Sequence, residues 1–132
     1  MAITINHVAI VVDDLQAALG FWRDALGLPF DAVQDVPSEQ VQIGFLEAGD
    51  SHIELVQPTS DDSGIAKYLA KKGAGMHHIC FEVEDIVAAL AHMQAQGIEL
   101  INETPRERAG RRYAFIHPKS TGGVLVELYE RL

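Results

Sequence analysis

The sequence predicts an α+β fold of two tandem βαβββ modules, which we expect to form a curved mixed sheet around a metal-binding cleft. The first observation is an internal repeat. With residue 7 placed over residue 78, six of the thirteen positions that start there are identical. The second is Ile53-Glu54-Leu55, which matches Val126-Glu127-Leu128 near the end of each copy. Two copies are too few for an open solenoid, so a closed pair of modules is expected.

Module 1 spans about residues 1–58 and begins with a strand followed by a helix. Apolar residues alternate over 4–12, which is typical of a strand, and then recur at helical spacing over 15–26. Asp14 is the expected N-cap of this helix, and Gly27 is expected to end it. Three further strands are predicted at 31–36, 40–47 and 51–57.

Module 2 spans about residues 76–132 and repeats this order. A linker at about 59–75 precedes it and carries a short helix near 65–72. Asp85 and Gly97 are the expected cap and end of the module 2 helix. The predicted elements are a strand at 77–83, a helix at 86–96, and strands at 98–103, 111–117 and 123–129.

Composition predicts a single soluble domain. The chain has 132 residues and a formal charge of −9, which argues against nucleic acid and anionic membranes as partners. No apolar run approaches the roughly 18 to 20 residues that span a bilayer. The N-terminus does not resemble a signal peptide, and the lone Cys80 fits a reducing compartment, so a cytoplasmic location is expected.

Four ionisable residues occupy equivalent places in the two modules and predict a metal site. His7 matches His78, and Glu54 matches Glu127. Alternation along a strand places each histidine on the same face as a small residue and opposite an apolar face. A carboxylate within an apolar strand is costly to bury without a cation or a hydrogen-bond network. Two imidazoles and two carboxylates suit Mn, Fe, Co, Ni or Zn.

The other histidines are weighed by the same rule. His52 shares a face with Glu54 and is the main rival ligand. His77 lies on the face opposite His78, so a structural role is expected there. His92 and His117 are expected not to be ligands.

Basic residues are concentrated near the C-terminus. Half of the ten Lys and Arg residues lie within fourteen positions: Arg106, Arg108, Arg111, Arg112 and Lys119. Such a patch on an acidic protein can receive a polyanion, and the turn amides of Ser120 to Gly123 are a candidate anion nest. The alternative is a solvated loop that balances acidic neighbours.

Three stretches resemble the vicinal oxygen chelate superfamily, which includes glyoxalase I, extradiol dioxygenases and bleomycin-resistance proteins. They are Asn6–Ile10, Gly75–Val83 and His117–Leu128. Within the superfamily the chain is most similar to the methylmalonyl-CoA epimerase family. The resemblance implies a glyoxalase-like fold and a homodimer. It also implies one divalent ion per chain, with Co²⁺ expected first and Mn²⁺, Ni²⁺ or Zn²⁺ as alternatives.

The resemblance implies interconversion of (2R)- and (2S)-methylmalonyl-CoA by removal of the C2 proton through a metal-stabilised enolate. Glu127 matches a residue with both metal-binding and proton-transfer roles. Some members carry a second glutamate on the third strand, where this chain has Ile43, so Glu54 is the expected partner, with Glu39 and Glu47 as further alternatives. An acyl-CoA substrate gives the basic residues a use, with Lys119, Ser120 and Arg111 as expected contacts.

Two other functions compete with this one. A glyoxalase I-type lactoylglutathione lyase uses the same ligand places and a related enediolate. A metal-free small-molecule binding protein of the resistance type has no need of four buried ionisable ligands. An extradiol dioxygenase uses two histidines and one glutamate, and the second glutamate here argues against it.

Overall fold

Module 1 folds as a strand, a helix and three further strands. The structure is a computed structural model that describes residues 2–132. The elements are β1 (Thr4–Val11), α1 (Leu15–Leu19, continued by a π-helical segment at Gly20–Ala25), β2 (Phe30–Val36), β3 (Val41–Ala48) and β4 (Ser51–Pro58). The strands lie in the order β2-β3-β4-β1, with β1 parallel to β4 and the other neighbours antiparallel.

The ends of α1 follow from the residues at its termini. Asp14 is the N-cap, and its carboxylate accepts from the backbone N–H of Ala17 at 3.2 Å. The side chain of Gln57, on β4, accepts from the N–H of Leu15 at 2.7 Å and satisfies a second free amide of the first turn. Gly27 follows the π-helical segment with φ of +89°, a left-handed conformation that ends helices.

Helix α1 covers one face of the module 1 sheet. The buried residues between them are Val12, Leu15, Leu19, Leu46 and Leu55. The approach is close at Gly44, where a Cβ atom would lie 2.9 Å from Cδ1 of Leu15. Ala9 packs in a separate cluster with Val41 and Val56. The face of β1 that carries Ala9 therefore points away from α1, as alternation along the strand predicts.

The second βαβββ module follows a linker helix. The elements are α2 (Gly64–Lys72), β5 (Gly75–Glu82), α3 (Ile86–Ala95), β6 (Arg106–Arg108), β7 (Arg111–Ile116) and β8 (Val126–Arg131), with a 3₁₀ turn at Pro118–Ser120. The strands lie in the order β5-β8-β7-β6, with β5 parallel to β8. By packing, the described residues divide into two compact units, His7–His77 and residues 2–6 together with His78–Leu132.

Helix α3 is capped in the same way as α1. The carboxylate of Asp85 accepts from the N–H of Ala88 at 3.0 Å, and Glu130, on β8, accepts from the N–H of Ile86 at 2.8 Å. Gly97 has φ of +80° after the helix. The module 2 core consists of Val83, Ile86, Leu90, Ala114, Ile116 and Leu128. The repeat therefore extends to this contact. In each module a side chain of the last strand, Gln57 or Glu130, accepts from the first backbone N–H of the helix.

The predicted strand at 98–103 is wrong. Ile98 and Leu100 do pack against the module 2 core, but Leu100 makes only an isolated bridge to Ile116. The side chain of Asn102 accepts from the N–H of Phe115 at 2.9 Å and replaces a backbone acceptor of the ladder. The strand forms instead at Arg106–Arg108. The alternation of apolar residues over 98–103 therefore reflects packing of an irregular segment against the core and not a strand.

Strand β8 begins at Val126, three residues later than predicted. Gly122 and Gly123 have φ of +76° and +101°, which are left-handed conformations outside the strand region. The hydroxyl of Thr121 accepts from the N–H of Val124 at 3.1 Å and keeps this residue in the turn. The predicted α+β class with two βαβββ modules is nevertheless confirmed.

We expect Asp14→Ala and Asp85→Ala each to lower the free energy of unfolding by about 1 kcal/mol, since each removes an N-cap acceptor. Urea denaturation measures the change. Asp13→Ala and Glu84→Ala are the matched controls, because these exposed neighbours remove the same charge outside the cap position. Equal losses in cap and control variants would contradict the capping role.

Candidate metal centre

The module 1 cluster consists of His7 on β1 and of His52 and Glu54 on β4. In the parallel pairing of these strands His7 lies opposite His52, and Ala9 lies opposite Glu54. Because side chains alternate along a strand, these four share one face of the sheet. Leu55, the next residue along β4, points to the α1 side and is fully buried there.

Hydrogen-bond distances join the three polar side chains of this cluster. Oε2 of Glu54 lies 3.1 Å from Nδ1 of His7 and 2.8 Å from Nε2 of His52. The two imidazole rings are stacked, with centroids 5.2 Å apart. The side chains of His7 and Glu54 are only 8% and 13% exposed, so the carboxylate is held by imidazoles in a mostly dry setting.

The module 2 cluster consists of His78 on β5 and Glu127 on β8. Nε2 of His78 lies 3.0 Å from Oε1 of Glu127, and both side chains are almost buried. The parallel pairing places Cys80, which is fully buried, opposite Glu127, just as Ala9 lies opposite Glu54 in module 1. The edge of the Phe115 ring packs against the imidazole of His78, with centroids 5.6 Å apart.

Both clusters have the donor chemistry of a transition-metal site. Donor atoms at right angles around an ion with bonds of about 2.1 Å lie about 3 Å apart. The separations of 3.1 Å between His7 and Glu54 and of 3.0 Å between His78 and Glu127 match that spacing. Among the described residues, the donor atoms of His7, His52 and Glu54 also lie within 4.8 Å of one another. Imidazole and carboxylate together suit Mn, Co, Ni and Zn.

The structure thus brings His7 together with Glu54, and His78 together with Glu127, within their own modules. It adds His52 to the first pair. The signal for His52 was present in the sequence, since it stands two residues before Glu54 on the same strand. Its equivalent in module 2 is Leu125, which is why the repeat did not mark it.

The remaining histidines have other contacts. The ring of His77 packs edge-on against Tyr68 of α2, with centroids 4.7 Å apart. His92 is exposed on α3. The Nδ1 atom of His117 accepts from the N–H of Lys119 at 3.0 Å, so His117 caps the 3₁₀ turn.

Four arginines of module 2 lie in the two strands of the β6–β7 hairpin. Arg108 and Arg111 lie over the rings of Tyr113 and Tyr129, at 5.3 Å and 5.2 Å from the ring centroids. Arg112 instead donates to Glu107 at 3.2 Å. Arg106, Arg108 and Arg111 are exposed, so positive charge is available at this edge of the module.

The turn before β8 is not an open anion nest, which corrects our expectation. The amides of Ser120, Thr121 and Gly123 already donate to backbone carbonyls at 2.9 to 3.1 Å. The hydroxyl of Ser120 accepts from the N–H of Glu99 at 2.9 Å. Three of the four turn amides are therefore already used within the turn, and the exposed side chain of Lys119 is the cationic group beside it.

Comparison with known proteins places this geometry in a family. The model of the Glyoxalase/Bleomycin resistance protein/Dioxygenase superfamily matches residues 6–115. The chain is 42% identical over 127 residues to the ethylmalonyl-CoA/methylmalonyl-CoA epimerase of Cereibacter sphaeroides, covering 94% of this chain and 95% of that protein. The chain belongs to the methylmalonyl-CoA epimerase family of this superfamily. This confirms the predicted resemblance and the prediction of an enzyme.

Other family members agree in sequence and in structure. The mitochondrial methylmalonyl-CoA epimerase of Mus musculus is 40% identical over 126 residues, which cover 94% of this chain and 71% of that protein. A variant Streptomyces coelicolor methylmalonyl-CoA epimerase, solved in complex with 2-nitronate-propionyl-CoA, has a TM-score of 0.84 and 32% identity, covering 97% of this chain and 94% of that one. Within residues 2–132, no helix has the length and apolar character needed to cross a membrane.

Proposed function

We propose that this enzyme interconverts (2R)- and (2S)-methylmalonyl-CoA. The observation that carries the proposal is the nearly buried His–Glu pair that each module holds at repeat-equivalent positions. The family supports it, because its named members act on methylmalonyl-CoA. We further propose that the two modules act together as one domain over residues 1–132.

The proposed metal ligands are His7, Glu54, His78 and Glu127, with Co²⁺ as the expected ion and Mn²⁺, Ni²⁺ or Zn²⁺ as alternatives. The donor set and its separations support this assignment. Bound there, a divalent ion would draw charge from the carboxylate and thioester oxygens of a chelating substrate and so stabilise the enolate left by proton loss.

Proton transfer is assigned to the two glutamates. Epimerisation requires that a base removes the C2 proton on one face and that an acid returns a proton on the other. We assign Glu127 as one of these groups and Glu54 as its partner. Ile43 supports the choice of Glu54, because this third-strand position carries an apolar side chain that packs beside Ala9, Val41 and Val56.

The acyl-CoA arm is assigned to Lys119, Ser120 and Arg111. Lys119 and Arg111 are exposed and bear the charge that the phosphates of coenzyme A need in a protein of net charge −9. Ser120 accepts from the Glu99 amide and can still donate its hydroxyl proton.

The homodimer and the cytoplasmic location remain predictions. Light scattering coupled to gel filtration at micromolar concentration measures the mass, and we expect twice the 14.4 kDa of one chain. A mass of one chain at the concentration of the activity assay would contradict the dimer.

We expect Glu127→Gln to abolish deuterium exchange at C2 of methylmalonyl-CoA in heavy water, because an amide cannot accept the proton. Proton NMR of the C2 signal follows the exchange, and metal content is measured on the same sample. Glu103→Gln is the matched control, since Glu103 is exposed outside both clusters. Exchange at the control rate would remove Glu127 as a base. Turnover of a glutathione hemithioacetal without C2 exchange would favour the lyase instead.

We expect chelator treatment to remove the activity and Co²⁺ to restore it, with a higher melting temperature for the loaded protein, because an ion that binds only the folded state stabilises it. Differential scanning fluorimetry with Co²⁺, Mn²⁺, Ni²⁺ and Zn²⁺ gives the order of the metals. A purified protein that exchanges C2 protons at full rate without stoichiometric metal would contradict the proposed cofactor.

We expect Arg111→Glu and Lys119→Glu to raise KM for methylmalonyl-CoA about tenfold each while changing kcat little, because the coenzyme phosphates lie away from the reacting carbon. Steady-state kinetics at low ionic strength measure both constants. Lys71→Glu on α2 carries the same charge change at an exposed site and serves as the control. An unchanged KM in both test variants would show that Arg111 and Lys119 do not contact the coenzyme.

A further inference from the structure

The contact between His52 and Glu54 is the shortest in the module 1 cluster. Nε2 of His52 lies 2.8 Å from Oε2 of Glu54, while Nδ1 of His7 lies 3.1 Å from the same oxygen. With Nε2 protonated, the imidazole of His52 donates to the carboxylate. The two residues stand two positions apart on β4, so alternation along the strand places both side chains on the same face.

Neighbouring rings fix the orientation of His52. The imidazole of His7 stacks on it with an interplanar angle of 27°. The ring of Phe45, from β3, lies 5.8 Å away at a tilt of 48°. These two ring contacts restrict rotation of the imidazole and favour the orientation in which Nε2 is directed at Glu54.

Module 2 has no histidine at the position equivalent to His52. Counting 73 residues onward from His52 leads to Leu125, just as the same step leads from Glu54 to Glu127. A leucine side chain has no polar atom to offer a carboxylate. The two His–Glu pairs are therefore equivalent in position, but only Glu54 is held by an imidazole from two residues before it.

We propose that His52 is a positioning residue, which orients the carboxylate of Glu54 and thereby raises the metal affinity of the site. The role rests on the proposed function, in which Glu54 is a metal ligand. A ligating carboxylate whose outer hydrogen bonds are in place loses less freedom when it binds an ion. Loss of such an outer partner typically weakens metal affinity by roughly 10- to 100-fold.

The test measures Co²⁺ affinity by competition with a coloured chelator, for the full-length protein and its variants. We expect His52→Leu, which installs the module 2 residue, to bind Co²⁺ roughly 10- to 100-fold more weakly. His92→Leu removes an exposed histidine and should bind as the wild type does. His52→Gln retains a donor and is expected to recover part of the loss. Visible absorption of the Co²⁺-saturated His52→Leu protein should match the wild type, because no ligand is lost.

Each other outcome overturns the proposal. Equal affinities of wild type, His52→Leu and His52→Gln would show that His52 has no effect on the site. A saturated His52→Leu spectrum with one nitrogen ligand fewer would make His52 a direct ligand. A wild-type protein that binds no Co²⁺ would overturn the metal site itself, and His52 with it, which separates that failure from the failure of His52 alone.

Discussion

Parallel pairing of the first and last strands is the constraint on which each module depends. In module 1 this register places Ala9 opposite Glu54, and in module 2 it places Cys80 opposite Glu127. Side chains alternate with a period of two, so a slip by one residue would turn the carboxylate towards the helix and the apolar side chains away from it. Burial of the helix and assembly of the His–Glu pair are therefore two results of one register. A change that weakens the helix contact also weakens the cluster.

The sequence was sufficient for the fold where two signals agreed. Repeat identity and strand alternation both selected His7 and His78, and capping residues placed both helix starts at the residue found. The prediction of a strand at 98–103 is wrong because the alternation of Ile98 and Leu100 indicates burial against the core and not pairing with another strand. What decides pairing there is the acceptor in the side chain of Asn102, a tertiary contact that no local pattern encodes.

For the candidate site, the sequence predicts which residue types are present, but it does not predict which hydrogen-bond partners they have. The turn of Ser120 to Gly123 has the glycines of an anion nest, but most of its amides are used by the turn itself. The sequence indicates His52 only as a rival ligand. The repeat identifies residues that both modules share, and the equivalent position in module 2 is Leu125. The distance of 2.8 Å to Glu54 depends on ring packing from β1 and β3, which a single strand does not reveal.

Divergence between the modules agrees with the reaction proposed for them. Epimerisation exchanges two configurations at one carbon, so it needs a proton-transfer group for each face, and a duplicated module supplies two glutamates in equivalent places. The substrate itself is not symmetric, since its coenzyme arm extends to one side only. The modules differ accordingly: three exposed arginines, Arg106, Arg108 and Arg111, lie on the β6–β7 hairpin of module 2, whereas the second imidazole, His52, belongs to module 1. Duplication thus accounts for the pair of carboxylates at equivalent positions, whereas His52 and the arginines of the hairpin distinguish one module from the other.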